Sequence, residues 1–348
     1  MLLLFRRMKA WLPLLRLGNT VARRNELEDY SEYLVLKSLN ELGLFDYLKK
    51  KRSLPNIVEQ FGWNYPSKYV DDLLKLLVKD KILIKKADNY LLTEGFDLQK
   101  PEVKHIQDFN DVFAEYASAI PDRLEGKFYD YTGRLALFNW DSALAGKVYQ
   151  AVRDSALNFV NIKKFHNVHL LDVGCGPGYE TADLWLRLIG NGNNSNKITA
   201  LDYDEDLLTI AREEFCLNLA KNGYKEVTWD ELQNPPKFVH GSADKMDMFD
   251  DNSFDAVYFS NFLHWLPEPL AGVKEMYRVL KPGGLIFGGQ GTSEVTNLYL
   301  DITARVIKGM QGYFSREQFL DWFKKAGFIK IKTATMVNTF KAIKPNSQ

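Results

Sequence analysis

The run His169-Leu-Leu-Asp-Val-Gly-Cys-Gly-Pro-Gly-Tyr-Glu180 limits what this chain can fold into more than any other stretch. Leu170, Leu171 and Val173 have the apolar, β-prone character of a buried strand, and Gly174, Gly176 and Gly178 clear side chains from a sharp bend. A helical pattern follows. Such a strand, loop and helix bring bare backbone and the unpaired N–H groups of a helix start close to a ligand. Asp172 stands at the carboxyl end of the strand, the edge where open α/β sheets bind ligands. The unit therefore points to a nucleotide-like cofactor.

Glycine spacing narrows the choice. A phosphate-binding P-loop needs Gly-Lys and then Ser or Thr, and no Lys follows here. A dinucleotide fingerprint needs Gly-x-Gly-x-x-Gly, and Gly178 comes one position early for that. Three further pieces follow in order. The strand Lys197-Ile-Thr-Ala-Leu-Asp202 ends in an acid able to accept hydrogen bonds from both hydroxyls of a ribose. The polar run Gly190–Asn196 before it reads as a loop insertion. Phe238-Val-His-Gly-Ser-Ala-Asp244 is a short strand reaching a second acid. Phe254–Phe259 then leads to Ser260-Asn-Phe-Leu-His-Trp265, a helix, the turn Arg278-Val-Leu-Lys-Pro-Gly-Gly284 and a strand Leu285–Phe287.

With those pieces in that order, Asp172-Val-Gly-Cys-Gly-Pro-Gly178 resembles the first motif of class I S-adenosylmethionine-dependent methyltransferases. The resemblance covers roughly residues 160–290. It implies that Asp172, Gly174, Cys175, Gly176 and Gly178 wrap the amino-acid end of S-adenosylmethionine, and that Asp202 and Tyr203 hold the ribose side. Ser242, Ala243 and Asp244 then meet the adenine, and Ser260 and Asn261 complete the cofactor site. It also makes His264 the candidate catalytic base. The family run His-Asp-Trp is replaced here by His264-Trp265-Leu-Pro267, without the Asp. Each residue also has a plainer role open to it. Asp202 could cap a helix starting near Glu205, Asp244 could cap a turn before Met246, and Cys175 reads as a small side chain rather than a nucleophile.

Composition removes several classes. The chain has 348 residues, 46% apolar and 26% charged, with zero formal net charge, which disfavours a general nucleic-acid binder. Cys175 and Cys216 form no metal-ligand spacing, so no metal and no disulfide framework is expected. No apolar run approaches the roughly 18–20 residues of a membrane span. Residues 1–25 are basic, with Arg6, Arg7, Lys9, Arg16, Arg23 and Arg24 interleaved with Leu2, Leu3, Leu4, Phe5, Trp11, Leu12, Leu14 and Leu15. That pattern suits a weak membrane-surface contact, a transit peptide or a packed helix, and Pro13 interrupts it. A cytoplasmic location is expected, with organelle targeting or peripheral membrane attachment as the alternative.

Residues 27–100 read as a winged helix. Helical spacing runs from Leu27 to Leu42 and stops at Gly43. Pro55–Phe61 and Ser67–Asp80 form two more helices, and Ile82–Ile84 with Tyr90–Leu92 make a hairpin. The order of winged helix, helical linker and cofactor domain resembles small-molecule O-methyltransferases of secondary metabolism, which implies a homodimer paired through the front domain. The rival is a DNA-binding regulator that senses the cofactor. Asp71, Asp72 and Asp80 beside the third helix's lysines disfavour it.

Residues 101–165 are aromatic-rich, with Phe109, Phe113, Tyr116, Tyr131, Phe138 and Trp140 among them, and read as a linker forming part of an acceptor pocket. Thr292–Phe314, with Tyr299, Tyr313 and Phe314, is a second candidate wall. Base-methylating motifs of nucleic-acid enzymes are missing after the strand Phe254–Phe259.

The expectation is an α/β chain with a Rossmann-like seven-stranded methyltransferase sheet, an N-terminal winged-helix domain and a helical linker. Its divisions are 1–26 (basic segment), 27–100 (winged helix), 101–165 (linker) and 166–345 (methyltransferase domain). It is expected to transfer a methyl group from S-adenosylmethionine to a small-molecule acceptor, at an oxygen of an apolar or aromatic compound. A membrane-associated quinone or lipid methyltransferase is the other enzyme reading.

Overall fold

A computed structural model describes residues 10–16, 18, 20–130, 143–190, 192, 195–294, 296–334 and 339–346. Leu2 to Lys9 of the basic segment, and Tyr131, Phe138 and Trp140 of the linker, lie outside the described residues. The chain divides into two compact units, one of residues 1–18, 141–295 and 313–348, the other of 19–140 and 296–312.

In the unit of residues 19–140 and 296–312, the helix Thr20–Glu41 ends before Gly43, whose φ of 83° is left-handed. Ser53 caps the helix Leu54–Phe61, and Ser67 caps the helix Lys68–Lys79 through the Val70 N–H. The strands β1 (Arg52–Ser53), β2 (Leu83–Lys86) and β3 (Asn89–Leu92) form an antiparallel sheet in the order β1-β3-β2. The helix Lys68–Lys79 buries Tyr69, Val70, Leu73, Leu74, Leu76 and Leu77 and exposes Lys68, Lys75 and Lys79.

Thr292–Phe314, read above as one wall of an acceptor pocket, is divided in the structure, and residues 296–312 pack with these front helices. The Tyr69 hydroxyl donates to the Ile302 carbonyl at 3.1 Å, and Arg305 donates to Asp72 at 2.9 Å. Asn297 caps the helix Leu298–Ala304 and donates to the Ser31 hydroxyl at 2.9 Å. Spacing along the chain carries no trace of these contacts, because all of them join segments far apart in sequence.

The other unit is built on a seven-stranded mixed sheet. Its strands are β4 (His169–Val173), β5 (Lys197–Asp202), β6 (Lys237–His240), β7 (Phe254–Ser260), β8 (Leu280–Gly289), β9 (Ile329–Ala334) and β10 (Thr339–Ile343). They lie in the order β6-β5-β4-β7-β8-β10-β9, with β4 to β8 parallel and β10 antiparallel to both neighbours. From β4 the chain winds outward to β5 and β6, then returns to place β7 on β4's other side. The reversal leaves a crevice at the carboxyl ends of β4 and β7, where such sheets take ligands. Lys281–Gly284, expected as a turn before a strand, is absorbed into β8 as a register shift against β7 between Phe254 and Ala256.

Near-continuous apolar runs in the parallel strands follow from burial on both faces. Leu171, Val173, Leu201, Val257, Phe259 and Ile286 point to one core layer, with Val273, Met276, Phe319 and Phe323 from the helices Pro269–Val279 and Arg316–Ala326. Their neighbours Leu170, Ala200, Ala256, Tyr258 and Phe287 point to the other, with Leu184, Trp185, Leu208, Ala211 and Phe215. Residues 10–16 are helical. Ala10 packs with Phe159 and Ala334, while Trp11, Leu12 and Leu15 are exposed. Among the described residues no helix is long and apolar enough to cross a membrane.

Phe259 is fully buried, with its ring against Phe262, Phe323 and Phe340. Phe259→Ala is expected to lower unfolding free energy by about 3–5 kcal/mol in denaturant titration. A loss under about 1 kcal/mol would contradict this packing.

Candidate active site

The glycine loop is stitched to the neighbouring strand. The Leu201 carbonyl accepts the N–H groups of Gly174 at 2.8 Å and Cys175 at 3.1 Å. Asp202 Oδ2 accepts the Gly176 N–H at 2.7 Å, and Oδ1 accepts the Asp204 N–H at 3.0 Å. The three glycines have different reasons to be glycine. A Cβ on Gly174 would lie 2.1 Å from the Phe262 ring, and one on Gly178 would lie 2.9 Å from the Ala211 methyl. A Cβ on Gly176, at φ 52°, would meet nothing within 4 Å. The outer two serve packing, and the middle one looks into open space beside the Asp202 carboxylate. The Tyr203 N–H also donates to that carboxylate, and the acceptor capacity it has left suits a ribose hydroxyl of an approaching nucleoside.

Asp202 is not the helix cap that spacing allowed. Asp204 caps the helix Glu205–Glu213, accepting from the Asp206 and Leu207 N–H groups at 3.0 and 3.1 Å. Tyr203 is exposed, and its carbonyl accepts from His240 Nε2 at 2.9 Å. On the next strand, Ser242 and Lys245 close a tight turn in which the Ser242 hydroxyl donates to Asp244 and Ala243 is buried. The chain after it is fixed by Glu275, which no motif indicated, and by Arg278, the first residue of the run ending in Gly284. Glu275 accepts the Met246 N–H at 2.8 Å, and Arg278 donates to the Met246 and Phe249 carbonyls, each at 2.9 Å.

Beneath the loop lie buried acids. Asp172 is 2% exposed and accepts the Thr181 hydroxyl at 2.7 Å. Burial, with the nearby Glu180 and Asp202 charges, pushes its carboxyl up to about 7. Glu180, which sequence reasoning missed, is raised by burial too; it hydrogen-bonds Ser260, and Tyr258 donates to it at 3.4 Å. Arg153 lies 4.0 Å from Glu180 and 3.6 Å from Asp183. Burial and the Asp202 and Asp172 charges raise the Cys175 thiol well above its usual range, so it is a poor nucleophile.

At the ends of β7 and β8, Asn261 has φ 43°; its N–H donates to the Gly289 carbonyl and its Oδ1 accepts the Gly291 N–H, both at 2.8 Å. His264 is buried in the short 3₁₀ turn Leu263–Trp265. Gln290 Oε1 accepts the Phe262 and Leu263 N–H groups, each at 3.1 Å. Gln290 Nε2 donates to His264 Nδ1 at 3.0 Å and to the Gly291 carbonyl at 2.9 Å. The imidazole lies 5.0 Å from the Tyr313 ring, and burial holds it down to about 3, so it is neutral near pH 7. Gln290 belongs to no motif and was not singled out in the sequence. The fold brings the residues of all five parallel strand ends to one edge of the sheet.

Residues 171–288 match the protein family described as a methyltransferase domain. Curated relatives include the demethylmenaquinone methyltransferase of Staphylococcus epidermidis, 29% identical over 51% of this chain and 66% of its own length. That of Listeria monocytogenes is 33% identical over 41% of this chain and 52% of its own. The chain thus spans about half to two thirds of these relatives. In fold it is similar to the DszA carbon methyltransferase (TM-score 0.72, 18% identity, 97% of this chain and 94% of that one). It is also similar to the citrinin polyketide synthase CMeT domain (TM-score 0.72, 14% identity, 99% and 96%). The sheet order, the loop and the family match define a class I S-adenosylmethionine-dependent methyltransferase domain. S-adenosylmethionine is the methyl donor of that family.

Asp172 yields a pH test. A carboxyl raised on folding keeps its proton in the native state where the unfolded chain has lost it. The stability this gives is present below the ordinary value of 3.8 and is lost as pH rises toward about 7. Asp172→Asn is therefore expected to gain stability on the unsubstituted chain as pH rises from 4 to 8 in denaturant titrations. A difference that stays constant across that range would contradict the assignment.

Proposed function

We propose that this chain transfers the methyl group of S-adenosylmethionine to a carbon atom of a small, apolar acceptor bearing an oxygen substituent. The observation that carries the methyl-transfer reading is the Gly176 backbone turned to open space with its N–H on Asp202. On this reading Gly174, Gly176 and Asp172 flank the methionyl end, Asp202 and Tyr203 the ribose, and Ser242, Ala243 and Asp244 the adenine. Cys175 and Gly178 shape the loop, and Ser260 and Asn261 close the site toward the acceptor. The bound sulfonium supplies an activated methyl group. The chain's part is to hold donor and acceptor in line, an effect worth roughly 7–11 kcal/mol of the barrier.

Two things support carbon. Solved structures whose fold extends over nearly the whole chain include carbon methyltransferases. The relatives carry the name demethylmenaquinone methyltransferase, which also favours an apolar, oxygen-substituted ring. Tyr313 and Trp265 beside His264 suit such a surface. Transfer to oxygen is the second reading. It rests on the resemblance to O-methyltransferases and on a base at His264.

The front unit is proposed to pair two copies of the chain rather than to bind DNA. Asp72 of its third helix is engaged by Arg305, and only three lysines of that helix are exposed. Trp11, Leu12 and Leu15, exposed on residues 10–16, support a weak contact with a membrane surface.

Calorimetry with S-adenosylmethionine and its demethylated product tests the methyl-transfer reading. Both are expected to bind, and Asp202→Ala to weaken binding by about 1.5–3 kcal/mol through lost charge-assisted hydrogen bonds. Absence of binding to the unsubstituted chain would overturn the reading.

A further inference from the structure

His264 and Gln290 together limit what the acceptor can be. The Gln290 side chain has one orientation, because its Oε1 receives two backbone N–H groups, those of Phe262 and Leu263. Flipping the amide would set two donors against two donors. The NH₂ group is therefore the end that faces His264, and both of its hydrogens are used, one on His264 Nδ1 and one on the Gly291 carbonyl. A neutral imidazole that accepts at Nδ1 must carry its proton at Nε2. Protonating Nδ1 instead would point an N–H at the Gln290 NH₂ inside a buried pocket, where Gln290 is 0% and His264 5% exposed. Nδ1 is the ring nitrogen with a hydrogen-bond partner among the described residues, so Nε2–H is left for a ligand.

We propose that Gln290 fixes His264 as a hydrogen-bond donor, so the chain does not deprotonate its acceptor and takes acceptors that ionise by themselves, enols and 1,3-dicarbonyls foremost. The inference rests on the methyl-transfer reading above. Nε2–H donates to the acceptor's anionic oxygen. The proton has already left to water, and the enolate carbon's electron pair forms the new C–C bond. The S–CH₃ bond breaks with its pair returning to sulfur, so the anion and the sulfonium both become neutral. A neutral imidazole held down by burial suits a donor, because it neither repels the sulfonium nor competes for the acceptor's proton. Gln290 is a positioning residue here, and it reaches the reaction through His264 alone. An alcohol, several pKa units less acidic, would reach this site protonated and unreactive.

Two measurements on the full chain decide it. Selective ¹⁵N labelling of histidine, with His264 assigned by loss of its signals in His264→Gln, reads the tautomer directly. The expected result is protonated Nε2 and bare Nδ1 from pH 5 to 8, with Gln290→Glu moving the proton to Nδ1 or charging the ring. A protonated Nδ1 in the unsubstituted chain, or a ring that titrates near neutrality, would overturn the proposal. The second measurement uses methyl-labelled S-adenosylmethionine and a series of 1,3-dicarbonyl compounds of graded acidity. The rising limb of kcat/KM against pH is expected to move with each acceptor's own pKa. A limb fixed at one pH for all of them, or faster turnover of simple alcohols, would overturn it. Turnover of none of the series while S-adenosylmethionine binds would overturn the acceptor class. Failure to bind S-adenosylmethionine at all would instead remove the methyl-transfer reading and leave the tautomer result standing.

Discussion

The hydrogen bond from the Gly176 N–H to the Asp202 carboxylate ties two strands' functions into one site. β4 ends in a loop with no side chains to hold it, and β5 ends in a buried acid that would be strained without partners. Each supplies what the other lacks. The Leu201 carbonyl, taking the Gly174 and Cys175 N–H groups, keeps the loop folded back over β5. The bend is therefore already held by backbone hydrogen bonds, a preorganisation that lowers the ordering cost of binding. Asp202 is thus a strut of the loop, and on the proposed reading its carboxylate also meets the ribose.

Electrostatics follow the same plan. Asp172, Glu180 and Asp202 lie close together under the loop, and burial raises all three. Alone they disfavour one another's charge. S-adenosylmethionine carries a sulfonium and an ammonium, and a cation above such a cluster relieves that repulsion. Across the site the pattern reverses. His264 is held neutral by burial and lies against the rings of Trp265 and Tyr313.

Legibility in the sequence tracked the range of the interactions. The loop, the strand it follows and Asp202 were readable because their chemistry is local: glycines where the chain bends and an acid where a strand stops. Even there, the plainer role of Asp202 was settled by Asp204, two residues on, which is the true cap. Gln290, and the hold of Arg278 on the Met246 and Phe249 carbonyls, were invisible because the partners come from other strands and loops. A glutamine after β8 has meaning only once β7 is laid beside it and the Phe262 and Leu263 N–H groups face its oxygen. The division of Thr292–Phe314 was hidden for the same reason, since Tyr69–Ile302 and Asp72–Arg305 join segments more than two hundred residues apart.

On the proposed reading, the β4 loop and the end of β5 form one preformed cradle for the sulfonium nucleoside. Amide hydrogen exchange, with and without saturating S-adenosylmethionine, reads that cradle residue by residue. Gly174 to Gly178 and Asp202 to Asp204 are expected to gain protection together, with the front unit's hairpin unchanged. Protection that appears elsewhere and spares the loop would contradict it.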